Sequence, residues 1–422
     1  MEASHSVSLM TQSRTERAVP SSTKTTSSSQ VVKLAKQPRV ADLPEDASEL
    51  LDFLCSAVGC LNQESPSVPL LPCLLVGGFP RNLMMGKPLG DVDMVIRSKY
   101  FDQFLFAVEM AAKKTSTRIT WKTDHILKNK SCKSLRLVTA TLTLASNKRW
   151  DLDIREIKSS LSCDALARDF TCNSIYLDPV TLKIIDTLGG VEDINKGILR
   201  PCNDLHTVFN HSSRWIRAFR FQQTLGLCLE SQVKYFVQAN SFMLLQPAMF
   251  GSIRAELGKV FRLEKDRWAI LEEMVDFDFL DCLSEFAQWK AVRQDQFSYL
   301  NLKASVILLF KHVALAEQQI GTTGACADPA FPDFSLVEAA KIVFLLMVKL
   351  SLFKNEDEPS ELMNVIKLVS ETNLSEYYFK MVQLAEEYLK CTEDKDILQQ
   401  FMPVHLANVL NALLEDGILK QE

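Results

Sequence analysis

The stretch LLVGGFPRNLMMGKPLGDVDMVI, residues 74–96, decides the fold of this chain. It opens with an apolar run, LLV, that predicts a short buried strand. Gly77 and Gly78 end this strand in a turn, because adjacent glycines permit positive φ angles and bring bare backbone amides close to a ligand. Arg81 follows shortly after and carries the fork of donors that binds phosphate oxygens. The stretch therefore predicts a strand followed by one half of a triphosphate site.

Two carboxylates, Asp91 and Asp93, supply the other half. On a strand, side chains alternate, so both carboxylates project to one side while Val92, Met94 and Ile96 face the core. Adjacent carboxylates repel each other unless a cation lies between them. Carboxylate oxygens at this spacing suit Mg²⁺ that is completed by substrate phosphates, as in two-metal phosphoryl and nucleotidyl transfer. Asp91 and Asp93 are therefore the predicted metal ligands and catalytic residues, with two Mg²⁺ ions as cofactors.

The glycine pair, the arginine and the two aspartates together resemble the head of the class II nucleotidyltransferases. This family holds the CCA-adding tRNA nucleotidyltransferases and the bacterial poly(A) polymerases. Its members carry GGxxRD followed by DxD, whereas this chain reads GGFPRN, with Asn82 where an aspartate is usual. The resemblance implies an α+β fold: an N-terminal nucleotidyltransferase head with a mixed β-sheet and helices, followed by an all-α neck, body and tail.

Four segments are expected along the chain. They are a Ser/Thr-rich tail or transit peptide at 1–40, the catalytic head at 41–200, a helical neck with base recognition at 201–300, and a helical, RNA-binding body and tail at 301–422. Fourteen of the first 30 residues are Ser or Thr, a composition that cannot bury enough apolar surface to fold alone. Such a segment is either a mitochondrial or plastid transit peptide or a disordered tail.

Composition sets further bounds. With 422 residues, 47% apolar and 23% charged, the chain is typical of soluble globular proteins. A net charge of −5 argues against a globally basic nucleic-acid coat, so any RNA contact has to come from a local basic patch. Eleven cysteines without a CxxC pair indicate reduced thiols in an intracellular, reducing compartment, which is the cytoplasm, or an organelle if residues 1–40 are a transit peptide. The most apolar window, 336–353, holds three charges and predicts a core helix rather than a membrane span.

A third acidic residue is expected from the alternating run WDLDIR, residues 150–155. Here the resembled family has a strand with one acidic side chain facing the metal pair. Asp151 and Asp153 share a face, so either is a candidate, and Asp151 is favoured as the third catalytic carboxylate. Both residues also suit the ordinary polar side of a strand.

The run ARDFTCNS, residues 167–174, is similar to the family segment RRDFTxNA. In relatives this segment lines the sugar and triphosphate pocket, which implies phosphate binding by Arg168 and contacts of Asp169 and Asn173 with the ribose or its surroundings. A guanidinium suits oxyanions, while a carboxylate and an amide can bind hydroxyls. Ala167 stands where the family has a second arginine, so one positive charge is missing.

The run NHSSRWIRAFRF, residues 210–221, resembles the family pattern EDxxRxxRAxRF. In relatives this helix reads the Watson–Crick edge of the incoming base. On a helix, residues three apart share a face, so His211 and Arg214 are expected to act together on the base, with Arg217 as a further nucleotide-binding residue. Asn210 and His211 replace the two acidic residues. A neutral imidazole offers one donor and one acceptor, so the family's base selection does not carry over and the order of bases stays open.

The resemblance implies a template-independent RNA nucleotidyltransferase that adds nucleotides to tRNA 3′ ends, transferring NMP from CTP or ATP and releasing pyrophosphate. Its expected partners are RNA, above all the tRNA 3′ end, and nucleoside triphosphates. No association with a membrane is expected. Two alternatives stay open: a poly(A) polymerase that adenylates RNA 3′ ends, and a catalytically degenerate relative that only binds RNA. The sequence does not assign the RNA-binding residues or the oligomeric state.

Overall fold

The structure is a computed structural model that describes the chain in segments. They are residues 43–64, 73–127, 135–240, 250–278, 296–320, 330–331, 333–352, 359–370, 374–391 and 394–420. The expected tail or transit peptide at 1–40 lies outside these residues.

The head contains a sheet flanked by helices. Its elements are α1 (Glu45–Glu64), β1 (Cys73–Val76), α2 (Gly78–Met85), β2 (Val92–Arg97), α3 (Phe101–Lys114), β3 (Arg118–Leu127), β4 (Leu135–Thr143), β5 (Arg149–Ile157), α4 (Leu161–Leu166), β6 (Ile175–Leu177), β7 (Ile184–Asp186), α5 (Gly190–Lys196) and β8 (Ile198–Leu199). Short 3₁₀ turns precede α3 and β6.

Seven strands form one sheet in the order β3-β4-β5-β2-β1-β6-β7. The central pair β2 and β5 is parallel, and the other neighbours are antiparallel. The mixed sheet confirms the predicted fold of the head. Because β1 is paired between β2 and β6, the glycine turn after β1 lies beside the start of β2, where the two predicted carboxylates occur.

The sheet is buried on both faces but unevenly. On one face α1 and α3 pack against a large apolar core that includes Val92, Met94 and Ile96, as the alternation predicted. On the other face a small cluster joins Val76, Val95 and residues of α4 and β6. Asp93 has the same parity as Val95 and so lies on this second face. The candidate site therefore occupies the more thinly covered face of the sheet.

After the head, the described chain is helical. The elements are α6 (Leu205–Phe209), α7 (Ser213–Leu225), β9 (Cys228–Leu229), α8 (Ser231–Ala239), α9 (Phe250–Phe261), α10 (Arg267–Asp276), α11 (Gln296–Ile320), α12 (Leu336–Leu352), α13 (Pro359–Val369), α14 (Ser375–Lys390), α15 (Lys395–Gln400) and α16 (Val404–Glu415). The two-residue strand β9 pairs with β8. The all-α prediction for the rest of the chain is thus confirmed within the described residues.

One continuous core joins the head to these helices. It runs from Phe170 and Ile175 in the head through Trp215 of α7 into the later helices. The predicted core helix at 336–353 is α12, whose central residues are almost fully buried. Within the segments described above, no helix combines the length and apolar character that crossing a membrane requires.

Candidate active site

Strand pairing brings three carboxylates together. Asp93 of β2 lies opposite Val76 of β1 on one side and opposite Asp153 of β5 on the other. In parallel strands, residues in register project to the same face, so the Asp93 and Asp153 side chains are neighbours. Asp91 lies immediately before β2 and is exposed. We call Asp91, Asp93 and Asp153 the carboxylate cluster.

The carboxylate cluster carries repulsion that its surroundings only partly offset. The pKa of Asp93 is raised, mainly because burial disfavours its charged form, and the charges of Asp153 and Asp91 add to this while Arg168 and Arg155 oppose it. The pKa of Asp153 is also raised by burial, with further repulsion from Asp91 and the nearby Asp151. A cation bound between these oxygens would relieve both effects.

Asp151, the favoured third carboxylate, has a different environment. It is exposed and accepts hydrogen bonds from Lys122 at 2.6 Å and from Thr141 Oγ1 at 2.7 Å. These hydrogen bonds lower its pKa, so its charge is already compensated. The structure places Asp153, and not Asp151, opposite Asp93, which favours Asp153 over the preference drawn from the sequence. Spacing alone could not decide because both side chains project to the same face of β5.

A divalent cation would need ligands beyond the protein. In the described segments, no three or more His, Cys, Asp and Glu side chains are grouped closely enough to hold a metal by themselves. Mg²⁺ typically binds one or two carboxylates and completes its octahedron with water and substrate phosphates. The oxygen donors of Asp91 and Asp93, with Asp153 alongside, fit that mode.

The glycine turn packs directly on the carboxylate cluster. Gly77 has φ +79°, and a Cβ added there would lie 2.9 Å from Oδ2 of Asp93. Both the backbone angle and this close approach require glycine. Helix α2 begins at the next residue, Gly78, and the first N–H groups of a helix have no partner within it. The turn therefore presents donors suited to an anion beside Asp93.

Arg168 is held at the same place by a buried carboxylate. Asp164 accepts a hydrogen bond from Arg168 Nε at 3.1 Å and another from the Tyr176 hydroxyl at 2.7 Å, and it also pairs with Arg155. Burial opposes the charge of Arg168, but Asp164, Tyr176 and Asp93 outweigh this and raise its pKa. A fixed, fully charged guanidinium thus stands between Asp164 and Asp93.

Asp169 and Asn173 point into the protein. Asp169 accepts hydrogen bonds from the Phe170 amide at 2.7 Å, from Asn173 at 3.0 Å and from Arg217 at 2.9 Å. Burial opposes its charge, but Arg217 and these hydrogen bonds outweigh that and lower its pKa. Asn173 in turn accepts from Arg81, which is itself buried, binds Asn82 and lies 5.1 Å from the centre of the Phe221 ring.

The head meets α7 through a chain of ion pairs. Arg217 bridges Asp169 and Glu256, with a distance of 2.7 Å to the second carboxylate, and Arg220 binds Glu256 at 2.9 Å. Glu256 lies on α9, and its side chain is 3% exposed. Burial opposes its charge, but Arg217 and Arg220 outweigh that and lower its pKa to about 2. We call Asp169, Arg217, Arg220 and Glu256 the neck ion-pair network.

His211 and Arg214 do not share a helical face. Helix α7 begins at Ser213, so His211 lies in the preceding turn, where its carbonyl accepts from the Arg214 amide at 2.9 Å. Arg214 donates to the carbonyls of Val208 at 3.2 Å and Ala167 at 2.8 Å. Burial and the charge of Arg214 lower the pKa of His211, so its imidazole is neutral at pH 7. The two side chains are neighbours through the turn instead.

Comparisons with known proteins agree with this geometry. The family described as the poly A polymerase head domain matches residues 73–200, the segment that holds the sheet and the carboxylate cluster. This segment is therefore similar in sequence to a poly A polymerase head domain, and its sheet and charged residues are where that similarity lies.

Individual relatives match over different lengths. The chain is 29% identical over 178 residues to the CCA-adding enzyme of Lactiplantibacillus plantarum, covering 41% of each protein. It is 24% identical over 362 residues to the A-adding tRNA nucleotidyltransferase of Aquifex aeolicus, covering 82% of this chain and 39% of that protein. The chain thus spans less than half the length of these two relatives. A solved structure described as a tRNA-processing enzyme in its apo form I covers 91% of both chains at 20% identity, with a TM-score of 0.58, which speaks to the fold.

The predicted site residues of the nucleotidyltransferase head fall into two groups. Gly77, Gly78, Asp91, Asp93 and Arg168 lie together where β1 ends and β2 begins. The side chains of the second group bind other protein groups and link the head to α7; these are Arg81, Asp169, Asn173, Arg214 and Arg217. The roles of both groups as ligands stay predictions.

Sequence reasoning assigned no role to the residues that hold the site together. Asp164, Arg155 and Tyr176 fix Arg168, and Glu256 anchors Arg217. Asp164 precedes Arg168 by four residues, and the i,i+4 spacing of opposite charges is a signal that could have revealed their pairing. The partners on β5, β6 and α9 are distant in sequence and carry no such signal.

Proposed function

We propose that this protein is a template-independent RNA nucleotidyltransferase that adds nucleotides to the 3′ end of tRNA. The observation that carries the proposal is the pairing of Asp93 with Asp153 beside the Gly77 turn and Arg168, within a nucleotidyltransferase head. The two relatives are named a CCA-adding enzyme and an A-adding tRNA nucleotidyltransferase, and these names support tRNA as the substrate of this protein.

The chain's own residues would bind and orient the triphosphate. Arg168, fixed by Asp164, would pair with phosphate oxygens, and the amides of the Gly77–Gly78 turn would donate to them. The 3′ oxygen of the RNA would attack the α-phosphorus in line, a new phosphodiester bond would form, and the bond to the β-phosphate bridging oxygen would break to release pyrophosphate.

Asp91 and Asp93, with Asp153 alongside, would hold two Mg²⁺ ions. When bound, these ions would activate the 3′-hydroxyl and neutralise charge on the triphosphate. The raised pKa values of Asp93 and Asp153 support this assignment, because burial and mutual repulsion disfavour both charged carboxylates and a bound cation would offset both. Asp151 would not take part, since Lys122 compensates it.

Asp169, Asn173 and Arg217 would act as positioning residues. Their mutual hydrogen bonds tie the strand entering β6 to α7, so they would set the distance between the phosphate-binding turn and the base-reading turn at His211. His211 and Arg214 would face the base. A neutral imidazole both donates and accepts, so it suits either CTP or ATP, and base order stays a matter for experiment.

RNA 3′-adenylation is the second candidate function. The longer of the two sequence matches is to an A-adding tRNA nucleotidyltransferase, whose name supports AMP as the added nucleotide but not an acceptor other than tRNA, and His211 replaces the carboxylate expected to accept from a base amine. This candidate uses the same head and the same carboxylate cluster and differs only in acceptor and base.

A single assay separates these functions. Purified protein receives either tRNA transcripts lacking CCA or oligo(A), with Mg²⁺ and CTP or ATP supplied separately. Incorporation of CMP and AMP onto tRNA supports CCA addition. Incorporation of ATP alone onto oligo(A) overturns the tRNA assignment. If the protein binds RNA but incorporates no nucleotide with any combination of RNA and nucleoside triphosphate, the result supports a catalytically degenerate relative that only binds RNA.

A further inference from the structure

A cavity opens beside the carboxylate cluster, on the side away from the glycine turn. It has a volume of about 430 Å³, within the range of ligand sites. Three cations, Lys122, Lys148 and Arg149, and two carboxylates, Asp91 and Asp151, line it together with Trp150 and neighbouring uncharged residues. We call this cavity the basic groove. The residues proposed to bind the triphosphate and the base, in the glycine turn, at Arg168 and before α7, do not line this cavity.

The order of strands separates the basic groove from the triphosphate residues. Gly77 follows β1, and Arg168 lies between α4 and β6, so both are on the β1–β6 side of the carboxylate cluster. The basic groove is built from β3, β4, the start of β5 and the segment before β2 that holds Asp91, so it lies toward the opposite side. The carboxylate cluster therefore stands between two sites rather than at the end of one.

In-line transfer requires two such sites. The attacking oxygen and the leaving pyrophosphate lie on opposite sides of the α-phosphorus. If the triphosphate lies against Gly77 and Arg168, the attacking 3′ oxygen approaches from the β5 side. The nucleotides that precede this oxygen then lie over the basic groove.

The groove's chemistry matches a phosphodiester strand. Lys148 and Arg149 are exposed at its rim, and Lys148 stands 5.4 Å from the centre of the Trp150 ring. Lys122 is compensated by Asp151, so Arg149 at the rim is the cation best placed to attract an anion. Trp150 is 3% exposed and packs in the apolar core of the head, so it supports the floor of the groove while the exposed cations provide its charge.

We propose that the basic groove binds the phosphodiester backbone of the RNA acceptor strand, immediately upstream of its 3′-terminal nucleotide, with Arg149 as its main cation. This inference rests on the proposed function, because it assumes that RNA is the acceptor, but it concerns a different surface from the triphosphate-binding residues. Asp91 is then shared: it faces the metal on one side and the end of the acceptor strand on the other.

Charge reversal at the rim tests the proposal. Arg149→Glu should raise the KM for tRNA lacking CCA about tenfold or more while leaving the KM for CTP and ATP unchanged, because each lost phosphate contact weakens RNA alone. The slope of log affinity against log salt should become shallower by about 0.7 for one lost contact to a single strand. Arg149→Lys should restore most of the binding.

The matched control is Lys183→Glu. Lys183 is an exposed cation on the same sheet, before β7, at the edge farthest from the groove. The two variants change net charge equally, so a general loss of attraction between protein and RNA would affect both. Equal KM values for RNA in Arg149→Glu and Lys183→Glu would overturn the proposal.

Cross-linking tests the groove without turnover. Full-length wild-type protein is irradiated with an RNA that carries 4-thiouridine one nucleotide before its 3′ end, and the attached peptide is mapped. We expect attachment within 148–151, unaffected by excess CTP or ATP. Attachment elsewhere, or competition by CTP or ATP, overturns the groove assignment. Because this readout needs no incorporation, failure of the groove and failure of the proposed function give different results.

Discussion

The carboxylate cluster and the neck ion-pair network hold similar numbers of charged groups in opposite states. In the network, Asp169, Arg217, Arg220 and Glu256 form direct ion pairs, and both carboxylates have lowered pKa values. In the cluster, Asp93 and Asp153 face each other and both have raised pKa values. The comparison shows that charged residues within the sequence motifs serve two purposes. Some hold the fold together through ion pairs, and others are left to bind a ligand.

Charges that are already paired fix the geometry of a fold, whereas charges left repelling one another mark the place where a ligand supplies the balance. By this criterion the ligand side of the molecule is the face around Asp93. The network behind it sets the position of α7. Substitutions in one region should therefore leave the other intact.

The largest effect is expected from Asp93→Asn. Removing one of the three charges of the carboxylate cluster at a reacting centre should lower nucleotide incorporation by about 10³-fold. The midpoint of thermal unfolding should stay the same or rise, because the change relieves repulsion with Asp153. Incorporation assays and thermal melts check this together. A large loss of stability would mean that Asp93 belongs with the structural charges.

Asp153→Asn and Asp151→Asn form a matched pair two residues apart on β5. Asp153→Asn should lower kcat by about 10²-fold, since it removes a carboxylate that faces Asp93. Asp151→Asn should change kcat less than about fivefold, because an exposed ion pair contributes at most about 1 kcal/mol. If the two variants exchange these effects, the preference for Asp151 drawn from the sequence is right after all.

Glu256→Gln should affect stability before chemistry. Breaking a buried ion pair leaves Arg217 and Arg220 undercompensated, so the free energy of unfolding should fall by about 3 kcal/mol at pH 7. The pKa of Glu256 drops on folding from 4.5 to about 2, so its contribution is complete above pH 4.5 and is lost as the pH falls toward 2. Denaturant melts of wild type and variant should therefore converge in acid. A constant difference from pH 7 to pH 3 would contradict the pairing.

The smallest effect is expected at His211. Its lowered pKa keeps the imidazole neutral at pH 7, so protonation should impair base binding only below about pH 6.5. The ratio of wild-type to His211→Gln activity should then be constant from pH 7 to 8 and fall by a few-fold as the pH drops below 6.5. A ratio that already falls between pH 8 and 7 would place a charged imidazole in the reaction.

Much of the head could be predicted because its signals are local. The alternation around Asp91 and Asp93 predicted β2, and the apolar run before Gly77 predicted β1. The close approach of Gly77 to Asp93, however, depends on β1 and β2 pairing in a register that the sequence does not state. The same pairing information was missing for β5, where only the alignment of β2 with β5 distinguishes Asp153 from Asp151.

The neck shows the second limit. The match of residues 210–221 to a helical pattern suggested that His211 and Arg214 share a helical face, but the helix begins two residues after His211. Serine is favoured at the N-cap, and Ser212 occupies that position, but the match to the helical pattern was given more weight than this start signal. The partner of Arg217 on α9 is 39 residues away in sequence, and long-range ion pairs of this kind have no periodicity to detect.

Manganese binding tests the distinction between the two regions most directly. Full-length wild type, Asp93→Asn and Glu256→Gln are titrated with Mn²⁺ in the presence of a non-hydrolysable ATP analogue, and free Mn²⁺ is counted by electron paramagnetic resonance. We expect two ions per wild-type chain, unchanged stoichiometry in folded Glu256→Gln, and at least about tenfold weaker binding in Asp93→Asn. Equal Mn²⁺ affinity in wild type and Asp93→Asn would contradict the carboxylate cluster as the metal site.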